Sequence, residues 1–168
     1  MVAINDTIPS GTLQTKTYGS ERDVYTNDLF YDKRVVLFGI AGAFNPMCEQ
    51  QYQSFLDNYD ALKDKGIEAI YCLSVNDPNT MENWWKSLGS SDKITMLSDG
   101  SGTYIKYLGL EQDLSSDHMG QRSRRFSMLI DKSVIVILHV EDAHDFSETS
   151  GSKLVEEIKG HCLDGKIE

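Results

Sequence analysis

The sequence predicts an α/β fold with a mixed central sheet, and three observations carry that expectation. Short, β-branched apolar runs alternate with segments whose apolar residues recur at helical spacing. The alternation ends in two consecutive strand-like runs and a closing helix, so a strand–helix–strand–helix pattern is followed by a hairpin. The 168 residues hold no low-complexity linker, internal repeat or long charge run, which suits one domain, 1–168, with a full hydrophobic core.

Taken in order, Arg34 to Ile40 (RVVLFGI) is short, apolar and β-branched, hence a buried strand. From Cys48 onward Tyr52, Phe55, Leu56, Tyr59 and Leu62 recur at helical spacing, and Gly66 stops that helix. Ile67 to Val75 (IEAIYCLSV) is a second strand. Asp77-Pro78 opens the next helix with a capping carboxylate and a proline in the first turn. Met81, Trp84, Trp85 and Leu88 form its apolar stripe, and the two tryptophans are expected to be core with a partial share in a pocket wall. Lys93 to Leu97 is a short third strand, and Ser101 to Leu108 a short helix closed by Gly109. Arg125 to Ile130 and Val134 to Val140 form a hairpin through Asp131-Lys132-Ser133. Leu154, Val155 and Ile158 give one apolar face to a last helix that starts near Ser150. Residues 161–168, with Cys162, are expected to be a loose polar tail.

Sixteen Lys and Arg stand against 26 Asp and Glu, a formal net charge of −10. An acidic surface repels nucleic acid and anionic membrane alike, so neither is an expected partner. The longest apolar run, Val134 to Leu138, is too short to span a bilayer. The opening MVAINDTIPSGTLQTK has no apolar core of the signal-peptide kind, so a soluble, cytoplasmic protein is expected. Cys48, Cys72 and Cys162 are too few and scattered for a disulfide scaffold. No CxxC occurs, and the four histidines form no cluster with metal-ligand spacing.

The stretch FGIAGAFNPMCEQQY, where an apolar strand hands over to a helix, is the most informative part of the chain. Only a thiolate is a good nucleophile. A cysteine in the first turn of a helix faces unpaired N–H groups and the positive end of the dipole, which favour the thiolate. Pro46 fits just before Cys48, where its missing N–H costs nothing, and Gly42 permits a tight approach of strand and helix. On spacing alone, Cys48 as a small buried apolar residue stays an open alternative.

In this order and spacing GAFNPMC, LSVNDP, MENWWK, LSDGSGTYIKYLGL and GQRSRRFSML resemble a peroxiredoxin of the atypical type II, or peroxiredoxin-5-like, subfamily. Members carry PGAFTPTC, VNDPF and RSRRF, and the resemblance covers roughly residues 30 to 160. It implies a thioredoxin-like fold and a thiol peroxidase that needs no cofactor or metal. The thiolate would attack the O–O bond of hydrogen peroxide or an alkyl hydroperoxide, become sulfenic acid and release water or an alcohol. The resemblance makes Cys48 the peroxidatic cysteine and Arg125 the arginine that stabilises the thiolate and the charge developing on the peroxide. Strand alternation sets Arg125 on one face with Ser127 and Leu129, whereas Arg122 and Arg124 read as a solvated basic strand end.

The chain also departs from the family. The family loop PxxxTxxC is here AxxxNxxC, with Ala41 for the proline that closes over the thiolate and Asn45 for the threonine that bonds the peroxide. Asn45 can donate and accept hydrogen bonds, but its amide is planar and longer than a hydroxyl. The family's S-x-x-H after the cysteine is replaced by Glu49 and Tyr52, and Glu49 would oppose the thiolate wherever the two side chains approach. Two readings follow: a peroxidase with weakened or altered substrate handling, or a redox sensor, chaperone-like relative or binding protein on the same scaffold. A cysteine hydrolase is remote, since no histidine lies in a segment expected beside Cys48. For recycling, Cys72 in YCLSV is either a resolving cysteine or a core residue. Glutaredoxin with glutathione, or thioredoxin, is the implied reductant. Relatives pair through the GAFTP and VNDPF loops, so a homodimer is expected, although Asn79 and Thr80 replace apolar residues of the second loop.

Overall fold

Alternation along one strand organises the whole molecule. In the computed structural model, which describes residues 1–159, Val36, Phe38 and Ile40 enter one hydrophobic cluster while Val35 and Leu37 enter another. The expected loose tail and Cys162 lie outside the described residues.

The chain begins with β1 (Thr12–Thr17), β2 (Ser20–Tyr25) and a short α1 (Thr26–Phe30). It continues through β3 (Arg34–Gly39), α2 (Pro46–Asp57), α3 (Tyr59–Asp64), β4 (Ala69–Ser74), α4 (Pro78–Ser87) and β5 (Thr95–Ser98). Then follow α5 (Thr103–Leu108), β6 (Glu111–Asp113), β7 (Gln121–Ser123), β8 (Arg125–Asp131), β9 (Val134–Glu141) and α6 (Gly151–Lys159). The main sheet has seven strands in the order β2-β1-β5-β4-β3-β8-β9, and β6 and β7 pair separately. β3, β4 and β5 are parallel; β8 joins β3 antiparallel, with Gly39 opposite Phe126 and Phe38 opposite Ser127.

Tyr52, Phe55, Met81, Trp84, Leu154 and Ile158 bring α2, α4 and α6 onto one face, whereas Phe30, Tyr104, Ile105 and Leu108 bring α1 and α5 onto the other. Phe38 stacks on Phe55 with ring centroids 4.1 Å apart. The fold class is therefore the expected one, a thioredoxin-like α/β sandwich with a mixed sheet.

The hairpin β8–β9 turns on Lys132 and Ser133, both at positive φ. The helix expected from Cys48 to Gly66 is two helices. Asn58, whose side chain donates to the Ser54 carbonyl at 2.7 Å, interrupts it. Sequence reasoning placed no element before Arg34, yet β1 and β2 form a hairpin whose two-residue turn, Tyr18-Gly19, lies entirely at positive φ. Its turn is anchored to α4, where Gly19 N–H donates to Glu82 Oε2 at 2.7 Å and Tyr18 meets the edge of Trp85. No helix of the described residues is long and apolar enough to cross a membrane.

Candidate active site

The loop after β3 delivers Cys48 to the third residue of α2, and the sequence enforces that position in two ways. Pro46 takes the first helical position, where a missing N–H is harmless. Asn45 takes the cap: its Oδ1 accepts from the N–H of Met47 at 3.0 Å and of Cys48 at 3.2 Å. Gly42 makes a close approach, not between strand and helix but to two side chains: a Cβ there would stand 3.1 Å from Met119 and 3.2 Å from an Arg122 nitrogen. The Cys48 side chain is fully buried, and Glu49, one residue on, is exposed to solvent.

Arg125 begins β8 and is also fully buried. A buried guanidinium needs its donors satisfied. Nη1 donates to Gln51 Oε1 at 2.9 Å and to Cys48 Sγ at 3.3 Å. Nε donates to the carbonyl of Asp145 at 2.9 Å, and Nη2 to that of Ala143 at 2.7 Å. Gln51 is held in turn, its Nε2 donating to the carbonyls of Phe126 and Thr149. The structure thus places an arginine against a thiol in a closed, low-dielectric setting, an arrangement able to hold a thiolate and a developing alkoxide.

Cys48 and Arg125 are brought together as expected, and Asn45 sits in the same loop as the helix cap. Cys72 lies in the same core cluster, fully buried and unpaired. Burial pushes its thiol well above the ordinary range, and the proximity of Cys48 adds to that. Burial, then Cys72, pushes Tyr52 up to about 12, and the Tyr52 hydroxyl has no hydrogen-bond partner. Trp84 is wholly core; Trp85 is nearly so, and borders a surface cavity with Tyr18. Arg122 departs from the expected solvated end: it is half-buried against the Gly42 loop, its Nε donating to the Met119 carbonyl at 2.8 Å.

Sequence reasoning missed Gln51, although a glutamine on the buried face of α2 between Cys48 and Tyr52 was a signal to follow. It also missed the segment from Asp142 to Thr149. That segment carries His144 close to the site, contrary to expectation, but the ring binds Asp142 and Asp117 rather than Cys48, so it supplies no hydrolase base.

The Redoxin family matches residues 3–153 of the chain. Peroxiredoxin-2B of Arabidopsis thaliana is 35% identical over 162 residues, covering 94% of this chain and 98% of the relative. Peroxiredoxin-2C of Oryza sativa subsp. japonica is 38% identical over 161 residues with the same coverage. Among solved structures, reduced Prx3 of Vibrio vulnificus in complex with hydrogen peroxide superposes with a TM-score of 0.88 at 34% identity, over 94% of this chain and 99% of that one. Peroxiredoxin 5 of Alvinella pompejana gives a TM-score of 0.86 at 30% identity, over 96% of this chain and 100% of its own. With a buried cysteine–arginine pair at the start of α2 and likeness running over nearly its full length, the chain belongs to the redoxin family and, within it, to the type II peroxiredoxins, which are thiol-dependent peroxidases.

Proposed function

We propose that Cys48 is the peroxidatic nucleophile and Arg125 its charge partner, and the observation that carries this is the 3.3 Å contact between Arg125 Nη1 and Cys48 Sγ inside the core. The thiolate sulfur attacks one oxygen of the peroxide, the O–O bond breaks, and the leaving oxygen departs with the bonding pair. Cys48 becomes sulfenic acid, and the leaving group takes a proton to become water or an alcohol. Arg125 lowers the barrier by offering donors where negative charge moves from sulfur to oxygen. Asn45 serves this site as the cap that fixes the first turn of α2, with its Nδ2 group left as a donor to the substrate. A redox-sensor or binding role is not favoured, since relatives covering the whole chain are peroxiredoxins.

For recycling, an external thiol is the better reading than Cys72. A thiol pushed up by burial is a poor thiolate, and Cys72 lies on the central strand β4, which cannot move without opening the core. Glutathione with glutaredoxin, or thioredoxin, is the proposed reductant. Two unpaired cysteines among the described residues suit a reducing, cytoplasmic setting. Homodimerisation is supported by Phe44, 55% exposed and held at φ 66° beside the site. The second loop contributes less, because Asn79 is bonded to Lys16 of its own chain.

The test is peroxide-dependent labelling by dimedone, a sulfenic-acid trap, followed by turnover with each reductant. We expect label on Cys48 alone, none in Cys48→Ser, and turnover retained in Cys72→Ser. Loss of turnover in Cys72→Ser, with labelling intact, would make Cys72 the resolving residue.

A further inference from the structure

Arg125 does not hold itself in place. Two of its donors end on main-chain carbonyls of a single segment, at Ala143 and Asp145. The residue between them, His144, is tied on both ring nitrogens: Nδ1 lies 2.7 Å from Asp142 Oδ1, and Nε2 lies 2.6 Å from Asp117 Oδ2 in the turn between β6 and β7. Gln112 of β6 grips the same segment, its Nε2 donating to Asp142 Oδ2 and its Oε1 accepting from Ala143 N–H. At the far end the Glu141 carboxylate accepts from Ser147 N–H, Glu148 N–H and Thr149 Oγ1, and the Thr149 carbonyl accepts from Gln51.

We propose that residues 142–149 form a strap that aims Arg125 at Cys48, and that His144, bridging Asp117 and Asp142, is the positioning residue that locks it. The proposal rests on the reading of Cys48 and Arg125 given above. The lock depends on charge. Only an imidazolium donates from both nitrogens, so a neutral ring keeps one of its two bonds. The charged groups facing the ring are Asp117 and Asp142. Hydrogen bonds donated by the ring to Asp117 and then to Asp142, with the charges of both, raise the imidazole above its ordinary 6.5. The lock is therefore closed below that raised value while both carboxylates stay ionised, and it loosens as pH rises through that value.

His144 is exposed, with 59% of its side chain accessible, so its removal should leave the fold intact. The direct readout is hydrogen exchange of the Arg125 Nε–H by 15N NMR, which needs no peroxidase activity, with the rate of Cys48 oxidation by hydrogen peroxide as the second readout. We expect His144→Ala to speed Nε–H exchange and to slow oxidation about five- to tenfold, a fraction of the 10²–10³ associated with losing such a donor outright. Asp117→Asn, altered on the other element, should do the same more weakly. The wild-type to His144→Ala rate ratio should shrink as pH rises, and His144→Ala should have no effect on oxidation in an Arg125→Lys background. Unchanged Nε–H exchange in both variants, or a rate ratio independent of pH, would overturn the proposal. A wild-type protein unreactive with peroxide whose Nε–H exchange still answers to His144 would uphold the strap and overturn only the peroxidase reading.

Discussion

At the proposed site Asn45 is assigned two jobs. Its Oδ1 caps α2, an interaction worth about 1 kcal/mol, and in the proposed mechanism its amide nitrogen is the donor to the substrate. Asn45→Asp keeps the cap oxygen while removing the donor and adding a negative charge beside the sulfur. Urea denaturation should find its stability within about 0.5 kcal/mol of wild type, whereas oxidation of Cys48 slows by about tenfold or more. Equal rates would remove Asn45 from the chemistry. At this scale Cys48, Arg125 and Asn45 were legible because each is a residue type with a chemical signature at a motif position. The acceptors from Ala143 and Asp145 were not legible, because every residue has a carbonyl and sequence cannot show which one turns inward.

Elements succeeded or failed by how apolar their pattern is. β3 and β4 announced themselves as buried runs, being covered on both faces. The hairpin β1–β2 sits at the sheet edge, with Leu13, Thr15 and Val24 as its buried side chains, too little contrast for a periodicity to emerge. The helix break at Asn58 was masked because Tyr59 and Leu62 continue the spacing of Phe55. The pairing of β3 with β8 carries its own prediction. Gly39 stands opposite Phe126, and a Cβ at Gly39 would fall 2.0 Å from the Phe126 ring. Gly39→Ala should destabilise by about 1–3 kcal/mol in urea denaturation. It should also slow Cys48 oxidation, because Phe126 adjoins Arg125 and its carbonyl holds Gln51. A stable Gly39→Ala with unaltered kinetics would show that this crossing does not constrain the site.

For the molecule as a whole, the sheet order explains why distant segments converge. β3 and β8 are neighbours, so the loop leaving one and the first residue of the other meet at the same end of the sheet, and α2 starts over that point. The fold class followed from pattern and family resemblance together, and the cysteine–arginine pairing from the resemblance. The strap over Arg125 is a tertiary arrangement of polar residues and left no periodic trace. The most direct test of the account is stopped-flow oxidation of the reduced protein by hydrogen peroxide and by a bulky hydroperoxide. Tryptophan emission can report it, because Trp84 lies 5.7 Å from Tyr52, one turn beyond Cys48. The account predicts oxidation far faster than that of a free cysteine, confined to Cys48 by mass spectrometry and slowed roughly 10²–10³-fold in Arg125→Lys. A rate equal to a free thiol's, or one indifferent to Arg125, would contradict it.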